Sequence, residues 1–182
     1  MYFHQGANDA ELVQRSLAGD LGAFEVLVQE YEGVLFRVAY RMLGDYEDAR
    51  DATQNAFIKV FQRLETFDRQ HRFFSWIYRI LVNECLNAKR GRRVSVEISD
   101  REASTSAGPD EPLAAAERQQ QVRRAVLMLP QDYREVIVLR HFGGLSYDEM
   151  AEALQIPVRT VKSRLYTARQ RLIEALSALQ RR

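Results

Sequence analysis

Apolar residues recur three and four apart along nearly the whole of this chain, a spacing that suits helices and little else. Phe24, Leu27, Val28, Tyr31, Leu35, Val38 and Met42 make one such stripe, the buried face of an amphipathic helix. Asp20 offers a capping oxygen at its start, and Gly44 is placed to end it. Asp45 can cap a second helix, whose stripe runs Ala49, Ala52, Ala56, Phe57, Val60, Phe61 and Leu64. After a polar loop over residues 68–72, a third long helix is predicted over about 73–90, with Ile77, Ile80 and Leu81 inward. A short helix over 11–18 precedes all three. Strand-like alternation is almost absent, and the 182 residues include only nine glycines and four prolines, so no sheet is expected.

The periodicity dissolves between residues 93 and 116. The stretch SDREASTSAGPDEP, residues 99–112, is polar and carries Gly108, Pro109 and Pro112, the composition of a linker. Extended, such a segment spans roughly 80–90 Å, so the halves on either side need not touch. Helical spacing returns with Val122, Ala125, Val126 and Leu129 and is broken by Pro130. It resumes over 133–141 and stops at Gly143 and Gly144. Ser146 and Glu149 have the spacing of a capping box, a turn falls at Ile156 and Pro157, and a last helix runs on from about Val158. The expectation is an all-α protein of two small helical domains, 1–92 and 117–182, joined by a flexible acidic linker, 93–116. The second domain contains a helix-turn-helix.

A net charge of +1 conceals strong segregation. Residues 157–182 hold seven basic side chains against one acid, Glu174, and Lys89, Arg90, Arg92 and Arg93 form a second basic knot. Residues 97–117 reverse the balance, with six acids against Arg101. The single cysteine, Cys85, can make no internal disulfide, which suits a reducing cytoplasm. No run of about 18 apolar residues is available to cross a membrane, and residues 1–20 lack the pattern of a secretory signal.

Three constellations carry functional signals. In residues 146–172 a short capped helix, a tight turn and a longer basic helix are the parts of a helix-turn-helix. Ala151 is small where the second helix must cross the first. Ile156, Val161 and Leu165 can face inward, which leaves Arg159, Thr160, Lys162, Ser163, Tyr166, Thr167 and Arg169 toward solvent. Such donors read base edges and grip phosphates, although a solvated basic helix in an ordinary bundle has the same pattern. In residues 66–83 a loop with Arg69, His71 and Arg72 feeds a helix start rich in aromatics, Phe73, Phe74, Trp76 and Tyr78. Four aromatics in six residues exceed what one helix face can bury, so some are expected to look outward, beside cations that suit unstacked bases. Trp76 and Phe73 can equally be core. Trp76, Arg79 and Asn83 share a helix face. In residues 45–57, Asp48, Asp51, Gln54 and Asn55 lie opposite the apolar stripe, a wet helix face or a docking surface for a protein.

Catalytic readings find no support. His4, His71 and His141 are scattered without metal-ligand spacing, and no phosphate-binding glycine loop or nucleophile motif occurs. Neither a cofactor nor a metal is expected, and a small helical enzyme is disfavoured as a rival reading.

The chain resembles the bacterial sigma factors of the extracytoplasmic function group, over about residues 10–93 and 117–176. DARDATQNAF, 48–57, is similar to the family's polymerase-binding helix, and FFSWIYRILVN, 73–83, to its segment for melting and reading the −10 element. LPQDYREVIVLRHFGGLSYDEMAEAL with IPVRTVKSRLYTARQRL, 129–154 and 156–172, resembles its −35-binding domain. The resemblance implies a promoter-specificity subunit without catalysis of its own, in which residues 1–92 correspond to region 2 and residues 117–182 to region 4. Asp48, Asp51, Gln54, Asn55 and Phe57 would contact the polymerase clamp helices, and the polymerase flap is a further implied contact. Residues 67–72, from Phe67 through Arg69 and His71, with Asn83 behind them, would capture a flipped −10 base. Phe73, Phe74, Trp76, Arg79 and Arg90 would support that pocket or the non-template strand. Arg159, Thr160, Lys162, Ser163, Tyr166, Thr167 and Arg169 would meet the −35 element. The implied partners are core RNA polymerase, promoter DNA and an anti-sigma factor. Asn55 stands where the family usually has glutamate, Arg50 where an acid is common, and Gln155 where a turn glycine is frequent. The rival is a stand-alone helix-turn-helix regulator using residues 129–176 alone.

Overall fold

The computed structural model describes residues 6–95 and 113–180, with side chains over 9–89 and 117–178. Every regular element among them is helical: α1 (Gly6–Leu17), α2 (Leu21–Leu43), α3 (Tyr46–Gln62), a 3₁₀ turn (Leu64–Thr66), α4 (Phe73–Ser95), α5 (Leu113–Met128), α6 (Gln131–His141), α7 (Tyr147–Leu154) and α8 (Val158–Gln180). The expected linker lies mostly outside the described residues, though its edges belong to the ends of α4 and α5.

The helix boundaries follow from capping chemistry. The Asp20 carboxylate accepts from the Ala23 amide at 3.1 Å, and Asp45 accepts from the Asp48 amide at 3.0 Å, each satisfying a donor that a helix start leaves orphaned. Gly44, at φ 81°, ends α2 by donating its amide to the Tyr40 carbonyl. Both sides of the Ser146–Glu149 capping box are made, at 3.3 and 2.7 Å. Between α7 and α8, Gln155 sits at φ 54°, in the left-handed region, with its amide closing α7.

α1 to α4 pack as one bundle, pinned across α1 and α2 by the Tyr31 hydroxyl, which donates to Asp9 at 2.6 Å. α8 lies across α5, α6 and α7 in a second bundle, its Val161, Leu165 and Ala168 buried. The two bundles share one hydrophobic core: α4 packs on α7, and α2 on α5 and α6. Although the linker permits separation, the described halves are in contact.

That contact overturns the expectation about the aromatics. Phe73, Phe74, Trp76 and Tyr78 are all buried, none more than 8% exposed. One helix face does not accommodate them, but α4 has two: α2 and α3 cover one side and α7 the other. Tyr78 spans the boundary, its hydroxyl donating to the Gly143 carbonyl at 3.3 Å.

Arg134 is the polar centre of the joint. Buried on α6, it donates to the carbonyls of Met42 (2.9 Å), Val126 (3.2 Å), Leu129 (3.0 Å) and Leu127. Met42, Val126 and Leu127 lie in the last turns of α2 and α5, where carbonyls have no partner within their own helix. One guanidinium therefore closes two helix ends, and its charge suits the negative poles of both. Arg123 adds a bond to the Gly44 carbonyl and lies 4.3 Å over the Tyr40 ring. At Gly44 itself, a β-carbon would come within 2.7 Å of Leu127, so the glycine serves both the turn and the close approach of the halves.

Two stability outcomes follow. Replacing Arg134 with Met strands several buried carbonyls and should cost roughly 3–5 kcal/mol in chemical denaturation. Replacing Gln155 with Gly relieves a left-handed strain of about 1–2 kcal/mol against a smaller entropic loss, so Tm should rise by about 2–4 °C in calorimetry.

Candidate nucleic-acid interface

The outer face of α8 is built by the same periodicity that buries its inner one. Arg159, Lys162, Ser163, Tyr166 and Arg169 are exposed, Tyr166 to 68%, while Thr160 and Thr167 are half-buried at the margins. All seven residues expected to face solvent thus lie off the buried stripe. The Ser163 hydroxyl donates to the Thr160 carbonyl at 3.0 Å, and the Lys162 ammonium stands 5.7 Å from the Tyr147 ring centre. Arg164, on the flank, is held by Asp132 at 2.7 Å. The result is a rigid basic surface with hydroxyls at its centre, able to grip phosphates and read base edges.

A second site forms where the loop before α4 meets α7. A cavity of about 340 Å³ is lined by Thr66, Phe67, Asp68, His71, Ser75, Trp76 and Arg79 from one half and by Ala151, Glu152 and Gln155 from the other. The loop is pre-shaped, since the Asp68 carboxylate accepts from the Gln70 amide at 2.9 Å and its carbonyl from the His71 amide at 3.0 Å. Phe67 packs 5.3 Å from Trp76 and 5.5 Å from Phe73, which gives the cavity an aromatic wall. Across it, Glu149 accepts from Arg72, and His71 Nδ1 lies 2.7 Å from Glu152 Oε1. Glu149 does two jobs, because its other oxygen accepts from the Ser146 amide in the capping box. Ala151, expected at the crossing of α7 and α8, also faces this cavity.

Three expected members behave differently. Phe73 and Phe74 are core residues behind the wall rather than exposed platforms. Asn83 is exposed but lines a separate cavity with Lys59, Arg63, Ile80, Glu84, Leu86 and Asn87, where Lys59 donates to Glu84 at 2.6 Å. It is not behind the loop because α4 has turned it toward α3. The side chain of Arg90 lies outside the described ones.

On α3, Asp51, Gln54 and Asn55 are exposed and Asp48 is half-buried, whereas Phe57 is buried beneath them and supports the face from inside. Exposed Tyr46 and Ile58 add apolar area that the pattern did not single out. Gln54 and Arg50 border a shallow cavity with Phe36 and Tyr46, and Arg50 is paired to Glu47 at 2.5 Å.

Ser75, Glu149, Glu152 and Gln155 are the site residues that sequence reasoning missed. Glu149 meets Arg72 across 77 positions, so no local spacing announces the contact. Burial pushes the Cys85 thiol up to about 12, which removes it as a nucleophile at neutral pH, and burial followed by Arg169 and Arg140 holds His141 below its usual range. No cluster of metal-ligating side chains occurs among the described residues.

Comparison with known proteins gives this arrangement a family. Residues 27–94 match the family described as Sigma-70 region 2, and residues 119–172 match Sigma-70, region 4. The chain is 35% identical to the RNA polymerase sigma-H factor of Pseudomonas aeruginosa, over 95% of its own length and 96% of that relative's. It is also 35% identical to the ECF RNA polymerase sigma-E factor of Escherichia coli, over 96% and 97%. To the ECF RNA polymerase sigma factor SigW of Bacillus subtilis it is 32% identical, over 88% and 92%. Among solved structures, it is similar to CnrH in complex with the cytosolic domain of CnrY, with TM-score 0.75 and 27% identity over 94% and 98% of the two chains. It is also similar to the sigma factor RpoE of Bartonella quintana in complex with the anti-sigma factor NepR, with TM-score 0.67 and 29% identity over 84% and 98%. The chain belongs to the RNA polymerase sigma factors of the extracytoplasmic function (ECF) group.

Proposed function

We propose that the three surfaces divide the work of promoter recognition. The exposed acidic and amide face of α3, widened by Tyr46 and Ile58, docks on the clamp helices of core RNA polymerase. The cavity between the loop over residues 67–72 and the start of α4 receives a flipped base of the −10 element. The outer face of α8 enters the major groove at −35. The observation that carries this reading is the preformed cavity, with an aromatic wall beside Arg79 and His71. A flipped base needs stacking surface and edge contacts there, and it offsets the cost of leaving the stack, a few kcal/mol, only when it fits. The chain supplies recognition and leaves catalysis to the polymerase. It works in the cytoplasm, under an anti-sigma factor of the sort bound to the RpoE relative.

The arrangement described is then a closed one. α7 roofs the −10 cavity with Glu152 and Gln155, and Arg72 and His71, which a DNA strand would meet, face carboxylates instead. Promoter loading requires α7 to leave the loop, and the linker is long enough to allow it.

Mixed with core polymerase, the protein should start transcripts at a defined promoter, whereas a stand-alone regulator would bind duplex without supporting initiation. Lys162→Ala should weaken −35 binding and flatten its salt slope by about 0.9, measured by fluorescence anisotropy across a salt series. Glu152→Gln, which touches no proposed DNA contact surface on α8, should raise the free protein's affinity for single-stranded −10 DNA by up to about fivefold. An unchanged affinity would remove the roof as a barrier.

A further inference from the structure

We infer that the Ser75 hydroxyl reads the base held in the cavity, and so sets sequence preference at one position of the −10 element. The inference rests on the assignment of that cavity to a flipped base and adds to it a named chemical reader.

Three hydroxyls on the helices of this chain find partners in their own backbone. Ser16 donates to the Leu12 carbonyl at 2.7 Å, Thr53 to the Ala49 carbonyl at 2.7 Å, and Ser163 to the Thr160 carbonyl at 3.0 Å. Each has a turn of helix before it. Ser75 does not: it is the third residue of α4, so the positions three and four before it are Arg72 and His71, in the loop. The Arg72 carbonyl, three positions back, accepts instead from the Trp76 amide at 3.3 Å. Ser75 is fully buried, and its Oγ has no hydrogen-bond partner among the described residues. Buried polar atoms are normally satisfied, so such an orphan calls for a partner.

Its location says what the partner is. Ser75 lines the cavity beside Phe67 and Trp76. The rings offer stacking, which every base accepts equally. A hydroxyl can donate and accept, so it discriminates among base edges where stacking cannot. Glu152 and Gln155, on α7 and the turn after it, withdraw before DNA enters, whereas Thr66, Asp68, His71 and Arg79 stay; among these lining side chains Ser75 alone carries a fully buried polar atom left without a hydrogen bond. Ser75 belongs to α4 and stays with the base.

The test uses the full chain with core polymerase on a pool of linear templates randomised over the −10 element, with start sites and yields read by sequencing. Wild type should show a base preference at the position held in the cavity. Ser75→Ala should reduce the best-to-worst ratio at that one position by roughly three- to tenfold, leaving ratios at other positions unchanged. Ser75→Thr should restore most of it. The Tm of Ser75→Ala should match or exceed that of the parent, because an unpartnered buried hydroxyl is lost. An unaltered ratio at every position overturns the inference, as does a uniform fall over all bases with a lowered Tm, the signature of a packing role. If wild type initiates with core but shows no preference anywhere in the −10 element, the assignment of the cavity fails and this inference with it. Initiation with a preference that Ser75→Ala leaves intact removes the inference alone.

Discussion

The guanidinium of Arg134 holds the ends of two helices that belong to different halves of the chain. Helix C-termini are electrostatically alike, each a cluster of outward carbonyls with partial negative charge, and two of them do not belong side by side. α2 and α5 nonetheless end next to one another, because a buried cation supplies donors to both. Burial draws its pKa down, with Glu135 opposing, yet the carbonyls around it replace much of the water it gives up. With this joint in place, Gly44 can lie against Leu127, Tyr78 can reach Gly143, and α7 is carried onto the loop before α4. The position of α7 over the cavity beside the loop is a geometric consequence of where α2 and α5 stop.

That geometry sets two demands against each other. A DNA-reading loop needs free cations, and a folded chain lowers its energy by pairing them. Here Arg72 and His71 face Glu149 and Glu152, so the closed form occupies the cations that the proposed −10 contact would need. Exposed ion pairs of this kind contribute at most about 1 kcal/mol each, weak enough to exchange for phosphates. The apolar contact between α4 and α7 does more to hold the halves together, and it does not depend on screening of charge. Ionic strength should therefore tune the surface of the joint while leaving its core intact.

What can be read from the chain divides along sequence distance. Asp20, Gly44, Asp45 and the Ser146–Glu149 box sit beside the helices they cap, and one turn of backbone suffices to predict them. The outer face of α8 is equally plain, since it is whatever Val161, Leu165 and Ala168 do not occupy. The aromatics of α4 defeat a local count, which allows a helix one buried face, because the second is supplied by α7 from across the linker. Asn83 departs from expectation for a related reason: sharing a helix stripe with Trp76 and Arg79 does not mean sharing a cavity when the neighbouring helix changes along the stripe. In the sequence Arg134 is one more helix cation, because its acceptors include Met42, 92 positions away. Gln155 shows its unusual backbone there only as a departure from the family's glycine.

The local balance of charge follows from the same arrangement. The chain carries basic side chains at two places, the loop before α4 and the outer face of α8, and covers one of them with acid. α7 supplies it over the loop, with Glu149 and Glu152, while the outer face of α8 is left basic. The two surfaces are thus unequal: the outer face of α8 is presented and the cavity beside the loop is covered. Electrostatic attraction acts over about a Debye length, roughly 8–10 Å at physiological salt, and so favours the surface already exposed. Under the proposed division of work, duplex contact through α8 forms before the cavity opens, ahead of an unstacked base that exists only once polymerase and duplex are both in place.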